Sequence, residues 1–103
     1  MLTAKQVQKV QRSIQEGKER LPFVFEALAD PTRLKMFQLL RDHRDFCVTD
    51  LAKICKVSVP AVSYQLKIME VVSLVKKERM GKMICYELNR GDPLVKKLIH
   101  ILK

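Results

Sequence analysis

The chain has few of the residues that build active sites, cofactor loops or cross-linked scaffolds. Its 103 residues include three glycines, four prolines, three cysteines, two histidines and no tryptophan. No Ser/His/Asp or Cys/His catalytic constellation can be assembled around two histidines, and Gly81 and Gly91 form no phosphate-binding loop. We therefore expect neither an enzyme nor a bound cofactor, and we assign no catalytic residue.

Cysteine is too scarce to organise the fold. Cys47, Cys55 and Cys85 are an odd number and contain no Cys-x-x-Cys pair. This spacing encodes neither a disulfide framework nor a self-contained zinc ribbon. We expect all three side chains to be reduced thiols.

Long apolar runs and negative charge are also lacking. No run approaches the ~18 apolar residues of a membrane span, and the first residues lack the apolar segment of a signal peptide. These absences predict a cytoplasmic protein with no membrane partner. Eleven acidic residues face twenty Lys and Arg, so the net charge is +9. That excess favours a polyanionic partner such as nucleic acid.

The positions of apolar residues predict six helices and one hairpin. Asp30, Ser58 and Asp92 each precede a proline by one or two positions and are predicted helix N-caps. The hairpin should turn at Met80-Gly81, and its second strand should place Ile84, Tyr86 and Leu88 on one face. The first predicted helix carries Val7, Val10 and Ile14 and ends near Gly17. The other five begin near residues 22, 31, 47, 58 and 93, and the predicted strands span 74–79 and 82–88.

This order of elements predicts a winged helix-turn-helix, a mostly α fold with a small β hairpin. We expect a single DNA-binding domain over residues 1–103, with the helix-turn-helix at 47–70 and the wing at 74–88. The segments 1–20 and 92–103 carry apolar stripes that their own chain does not obviously cover, so we predict that they dimerise. The predicted dimer contacts are Val7, Val10, Ile14, Leu94, Val95, Leu98 and Ile101.

Four segments carry a more specific signature. They are LADPTRLKMFQLL (28–40), FCVTDLA (46–52), VSVPAVSYQLKIM (57–69) and LVKKERMGKMICYEL (74–88). In order and spacing they resemble the ArsR/SmtB family of dimeric bacterial and archaeal repressors. The resemblance implies a homodimer formed by the terminal helices, a recognition helix in each of two successive major grooves, and an inducer that releases the operator DNA.

On this interpretation the second helix of the motif and the wing bind double-stranded DNA. Gln65 can pair bidentately with adenine, Ser63 and Tyr64 can reach phosphates or base edges, and Ala61 can contact a thymine methyl group. The wing cations can neutralise phosphates. The predicted DNA-binding residues are Ser58, Val59, Pro60, Ala61, Ser63, Tyr64, Gln65 and Lys67 on the helix, with Lys76, Lys77, Arg79 and Lys82 on the wing.

The sequence departs from the family pattern in the turn of the motif. Lys56 stands where the family usually has glycine, and a left-handed backbone at a non-glycine residue costs about 1 kcal/mol. We therefore expect a slightly different turn here. Positions 59–61, commonly polar in the family, are Val-Pro-Ala, so base readout would fall to the polar residues that follow.

The sensor is the least readable part of the sequence. Many relatives bind metal through a Cys-x-Cys pair at the start of the fourth helix, where this chain has Cys47-Val48-Thr49, and we assign no metal site. A helix N-terminus lowers the pKa of a thiol, whereas the nearby Asp50 opposes that effect. We predict that Cys47 is the most reactive thiol and, with Asp50, a candidate sensor. The inducer, a small molecule or an oxidant, is not identified.

Alternative functions stay open at this point. A winged helix can dock a protein partner with the surface that otherwise binds DNA. Structured RNA is another polyanion that such a surface could bind. A thiol-redox or metal-responsive sensor using Cys47 is a further alternative.

Overall fold

The fold, obtained as a computed structural model, is described here for residues 1–15, 19–44 and 46–102. Within these ranges a two-stranded antiparallel hairpin accompanies six helices, which confirms the predicted mostly α architecture. The predicted 1–20 segment includes residues 16–18, which lie outside the described residues. The elements are α1 Ala4–Gln15, α2 Arg20–Ala29, α3 Pro31–Asp42, α4 Val48–Cys55, α5 Val59–Val71, β1 Val75–Met80, β2 Met83–Leu88 and α6 Pro93–Ile101.

Three helices begin at the N-caps that the sequence predicts. The Asp30 carboxylate accepts a hydrogen bond from the backbone N–H of Arg33 at 3.0 Å. Ser58 Oγ accepts from Ala61 at 3.2 Å, and the Asp92 carboxylate accepts from Leu94 at 2.9 Å. Each cap satisfies an N–H that the first helical turn leaves without a partner. The starts of α3, α5 and α6 are therefore fixed by local sequence.

Helix α3 lies at the centre of the hydrophobic core. Met36 and Phe37 are fully buried there, and apolar faces of α2, α4, α5 and α6 and the base of the hairpin join the same cluster. The α5 residues in this cluster recur at helical spacing, which turns the opposite face of α5 outward. Those buried α5 residues are Val62, Leu66 and Met69.

The hairpin differs from its prediction by one position. Met80 pairs with Met83, so the turn consists of Gly81 and Lys82 rather than Met80-Gly81. Gly81 adopts a φ of +64°, a left-handed conformation that glycine accepts without steric cost. Of the three residues predicted to share one face of β2, Tyr86 and Leu88 are buried. The Ile84 side chain is 37% exposed, because the strand extends past the core towards the tip of the hairpin.

The turn between α4 and α5 keeps a left-handed residue even though that residue is lysine. Lys56 has φ 57° and ψ 44°, so the expectation of a different turn is wrong. The N–H of Val57 donates to the carbonyl of Ala52 at 3.1 Å, the bond that closes a Schellman motif. The end of α5 repeats this arrangement, with Ser73 at φ 62° and Leu74 N–H donating to Met69. These bonds offset the backbone strain at both sites.

The two terminal helices differ in how they meet the core. Val95 and Leu98 of α6 are buried in the core of their own chain, which corrects their predicted role as dimer contacts. Leu94 is half-buried against the same core. In contrast, side chains 4–14 of α1 are all exposed. The radius of gyration is 17.3 Å, against about 13 Å for a compact chain of this length, so α1 stands away from the core.

None of the helices in the described residues is both long enough and apolar enough to span a lipid bilayer.

Candidate nucleic-acid interface

The outward face of α5 begins at its N-terminus. Ser58, Val59, Pro60 and Ala61 are all exposed, and Tyr64, one helical turn further on, is 60% exposed. The side chains of this edge are small and mostly apolar, so a second molecule can approach the helix backbone closely. The cap at Ser58 fixes the direction of this edge.

Two of the predicted readout residues are partly covered. Ser63 and Gln65 are each half-buried, and Gln65 Oε1 accepts a hydrogen bond from Arg33 Nη1 at 2.7 Å. A bidentate contact with adenine uses both the oxygen and the nitrogen of the amide. In this structure the oxygen of Gln65 is already engaged, while its NH₂ group remains available as a donor.

Arg33 is a site residue that the sequence did not reveal. Its Nε donates to the carbonyl of Ala27 at 2.7 Å, while Nη1 holds Gln65. One guanidinium therefore ties the end of α2 to the middle of α5. The sequence shows only an arginine in the first turn of α3. It contains no signal for the two partners of this arginine, Ala27 and Gln65, which lie 6 and 32 positions away.

Arg20 positions the other end of α5, and it too was not predicted. Its Nε donates to the carbonyl of Val72 at 2.9 Å and its Nη2 to that of Ser73 at 3.2 Å. Its Nη1 lies 2.6 Å from the carboxylate of Asp92, the N-cap of α6. Arg20 therefore joins the first turn of α2, the end of α5 and the start of α6.

The wing carries four exposed cations, and one of them has an acidic neighbour. Lys76 Nζ lies 3.8 Å from Glu87 Oε1 across the hairpin, which partly compensates its charge. Lys77, Arg79 and Lys82 are exposed and are the better candidates for phosphate contacts. They extend the positive surface from the body of the hairpin to its tip.

A cavity of about 410 Å³ separates the wing from the helix-turn-helix. Lys67 and Glu70 of α5 and Lys77 and Lys82 of the wing line it, together with Cys47 and Tyr86. Three cations and one carboxylate thus converge on one concave surface, which leaves it positively charged. Such a surface attracts an anion.

One tyrosine that lines the cavity, Tyr86, has a raised pKa. Burial of the Tyr86 hydroxyl, and secondarily the negative charge of Glu70, raise the pKa of Tyr86 above its usual value. The side chain is therefore a neutral phenol at physiological pH.

The cysteines contradict the expectation of three reduced thiols. Cys47 and Cys85 form a disulfide, and only Cys55 is a free thiol among the described cysteines. The backbone explains this proximity, because Cys47 pairs with Cys85 in an isolated antiparallel bridge and Tyr86 N–H donates to Phe46 at 3.2 Å. The residue before α4 thus pairs with β2 through one isolated bridge, a long-range pairing that cysteine spacing alone could not reveal.

The predicted partner of Cys47 has a structural role here. The Asp50 carboxylate accepts a hydrogen bond from the backbone N–H of Cys47 at 2.9 Å and so caps the start of α4. Among the described residues no three His, Cys, Asp or Glu side chains lie close enough together to hold a metal ion.

Comparison with known proteins agrees with this architecture. Residues 30–77 match the family described as bacterial regulatory protein, arsR family. The chain is 42% identical over 84 residues to the transcriptional repressor SmtB homologue of Synechocystis, covering 82% of this chain and 62% of that protein. It is 36% identical to the transcriptional repressor SdpR of Bacillus subtilis, covering 64% of this chain and 72% of SdpR.

A solved structure supports the same assignment. The transcriptional repressor PagR of Bacillus anthracis superposes with a TM-score of 0.70 at 30% identity, covering 82% of this chain and 94% of PagR. The chain spans about three fifths of the SmtB homologue's length, so it corresponds to part of that relative. By fold and by sequence, the chain belongs to the ArsR/SmtB family of winged helix-turn-helix regulators.

Proposed function

We propose that the chain is a homodimeric, sequence-specific DNA-binding repressor. Two copies of α5 would enter successive major grooves of a duplex, and the two wings would lie against the flanking backbone. An inducer that the structure does not identify would release the DNA. Repression follows if the bound dimer occupies a promoter and excludes the polymerase.

The observation that carries this proposal is the exposed N-terminal edge of α5 together with the exposed cations of the wing. The α5 edge has little side-chain bulk, so its backbone can approach base edges, and Ala61 can contact a thymine methyl group. Tyr64 and the NH₂ group of Gln65 supply polar contacts. Lys67, Lys77, Arg79 and Lys82 supply the positive charge that phosphates require.

The dimer part of the proposal depends on α1. Its apolar stripe, formed by Val7, Val10 and Ile14, is 40%, 50% and 69% exposed, and the side chains around it are polar. An amphipathic helix that its own chain leaves uncovered gains stability by burying its stripe against a second copy. Ile101 of α6 is 72% exposed and can extend the same contact.

Two measurements test the proposal. Gel shifts with short duplexes tiling the DNA upstream of its own gene should give a specific complex that unlabelled duplex of scrambled sequence does not displace. Sedimentation equilibrium should give a dimer at micromolar concentration. Val10→Lys with Ile14→Lys should give a monomer, whereas Lys9→Ala, on the same helix, should leave the dimer intact.

The same experiment separates the DNA-binding function from protein docking. The exposed apolar residues Val59 and Tyr64 also suit a protein partner, because such residues are common in protein interfaces. A monomer that ignores every upstream duplex at moderate ionic strength would refute the proposed function and leave docking as the better explanation. Preference for RNA over duplex DNA in competition would refute it as well.

A further inference from the structure

We propose that Cys47 and Cys85 form a reversible redox site whose disulfide state sets the affinity of the protein for DNA. The inference rests on the proposed DNA-binding function and adds its regulation. The chemical partners of the site are peroxides, which would oxidise the dithiol, and small thiols, which would reduce the disulfide.

The position of the bond is the first argument. Cys47 is the residue that precedes α4, and Cys85 lies in the middle of β2. The loop that the disulfide closes, with a sequence separation of 38, contains α4, α5, β1 and the wing tip. The bond therefore encloses the whole proposed DNA-binding surface and fixes the wing to the first helix of the motif.

The hydrophobic core is large enough that the fold does not require this disulfide as a permanent cross-link. A small domain depends on disulfides when its core is too small, whereas this chain buries a continuous apolar cluster that includes Phe37, Leu51 and Leu66. Disulfides in proteins that work inside cells are usually transient and redox-sensing. The position and the sufficient core together favour a switch over a permanent cross-link.

The cavity between wing and helix-turn-helix supplies access. Cys47 lines this cavity and is 9% exposed, whereas Cys85 is 4% exposed. A small peroxide or thiol entering the cavity would meet the sulfur of Cys47. Lys67, Lys77 and Lys82 line the same cavity together with Glu70, and the Asp50 carboxylate accepts a hydrogen bond from the Cys47 N–H. The three cations outnumber these two carboxylates, and their positive charge would favour the thiolate form of Cys47 once the bond is reduced.

The chemistry balances with a peroxide as oxidant. The Cys47 thiolate attacks one oxygen of hydrogen peroxide and breaks the O–O bond, which gives a sulfenic acid and, after protonation of the leaving hydroxide, one water. The Cys85 thiolate then attacks the Cys47 sulfur and expels hydroxide, which takes up a proton as a second water. The two cysteines lose two electrons in total. A small dithiol reverses the step through a mixed disulfide at Cys47.

The oxidised protein should bind DNA more tightly than the reduced protein, because the disulfide holds the wing in place before DNA binds. With the bond closed, the wing is held against α4, so Lys77 and Lys82 keep the position relative to Lys67 that the structure shows. With the bond open, binding must order the wing and lose that part of the affinity. We expect the oxidised protein to bind DNA about tenfold more tightly, within the usual range of coupling between two sites.

The test compares defined redox states of the full chain. Peptide mapping after peroxide treatment should show Cys47 joined to Cys85, with Cys55 alkylated. Fluorescence anisotropy with the upstream duplexes should then give the tenfold difference between peroxide-treated and dithiothreitol-treated protein. Cys47→Ser and Cys85→Ser should each remove the difference, whereas Cys55→Ser should keep it.

Two further readouts do not depend on affinity alone. Hydrogen exchange of the β1 and β2 amides should speed up on reduction of the free protein. By reciprocity, saturating duplex should shift the dithiothreitol midpoint of the disulfide by the same factor of about ten, which is about 30 mV for two electrons.

Each outcome is decisive. Failure of the Cys47–Cys85 peptide to form, equal affinity in both states, or tighter binding after reduction would overturn the inference. No binding to any duplex in either state would instead refute the proposed function and, with it, the regulation of DNA affinity. In that case the peptide map would still decide whether the cross-link exists.

Discussion

Arg20 offers a quantitative test of how α5 is held. Arg20→Ala removes the hydrogen bond to Val72, the bond to Ser73 and the ion pair with Asp92. The Ser73 carbonyl keeps a second donor, Asn89 Nδ2 at 3.1 Å, so loss of the Arg20–Ser73 hydrogen bond costs less. The Arg20 side chain is 35% exposed, so solvent weakens the ion pair with Asp92. The free energy of unfolding should fall by about 2 to 3 kcal/mol.

The assay is thermal and urea unfolding followed by circular dichroism. A loss of about 2 to 3 kcal/mol corresponds to a fall in Tm of about 10 to 15 °C for a domain of this size. Asp92→Asn keeps an N-cap for α6 and removes only the charge, so a double-mutant cycle with Arg20→Ala should give a coupling of about 1 kcal/mol. Arg44→Ala is the matched control at an exposed arginine. A change within about 0.5 kcal/mol for Arg20→Ala would refute the role of this guanidinium.

Three further predictions concern the turn, the tyrosines and the disulfide. Lys56→Gly should raise the free energy of unfolding by about 0.5 to 1 kcal/mol because it relieves a left-handed lysine; a loss in urea unfolding would contradict this. The pKa of Tyr86 is raised in the folded state, so the unfolded chain ionises first and stability is lost as pH rises from the usual tyrosine pKa through the folded value. In Tyr64→Phe protein, absorbance at high pH should therefore show delayed ionisation of Tyr86, and simultaneous titration with the unfolded chain would refute it. Reduction of the Cys47–Cys85 bond should lower the free energy of unfolding by up to about 4 kcal/mol, the chain-entropy value for a separation of 38, and Cys47→Ser protein should show no response to reductant.

Local signals in the sequence were sufficient to predict much of the fold. Asp30, Ser58 and Asp92 mark helix starts because a cap and a nearby proline act within one turn, and the buried face of α5 follows from helical spacing. The hairpin turn was misplaced by one residue because Met80-Gly81 and Gly81-Lys82 both contain the glycine that a left-handed position favours. The actual register is decided by pairing along the whole hairpin.

Long-range pairings account for what the sequence did not reveal. Arg20 and Arg33 act on carbonyls and side chains of other helices, and no local pattern specifies such partners. The disulfide was missed because Cys47 and Cys85 meet only once the start of α4 is aligned with β2. Val95 was assigned to the wrong contact for a different reason. The spacing of aliphatic residues on a terminal helix is the same whether the core of its own chain or a second chain covers them.

The salt dependence of DNA binding tests the central claim most directly. Lys67, Lys77, Arg79 and Lys82 on each of two chains should neutralise about eight phosphates, which gives a slope of about −7 for log K against log salt concentration. Lys77→Ala with Lys82→Ala should make that slope shallower by about 3.6, whereas Lys35→Ala with Lys53→Ala, outside the proposed surface, should leave it unchanged. A slope near zero, or equal slopes for the wing variant and the unchanged protein, would contradict a dimer that holds DNA through α5 and the wing.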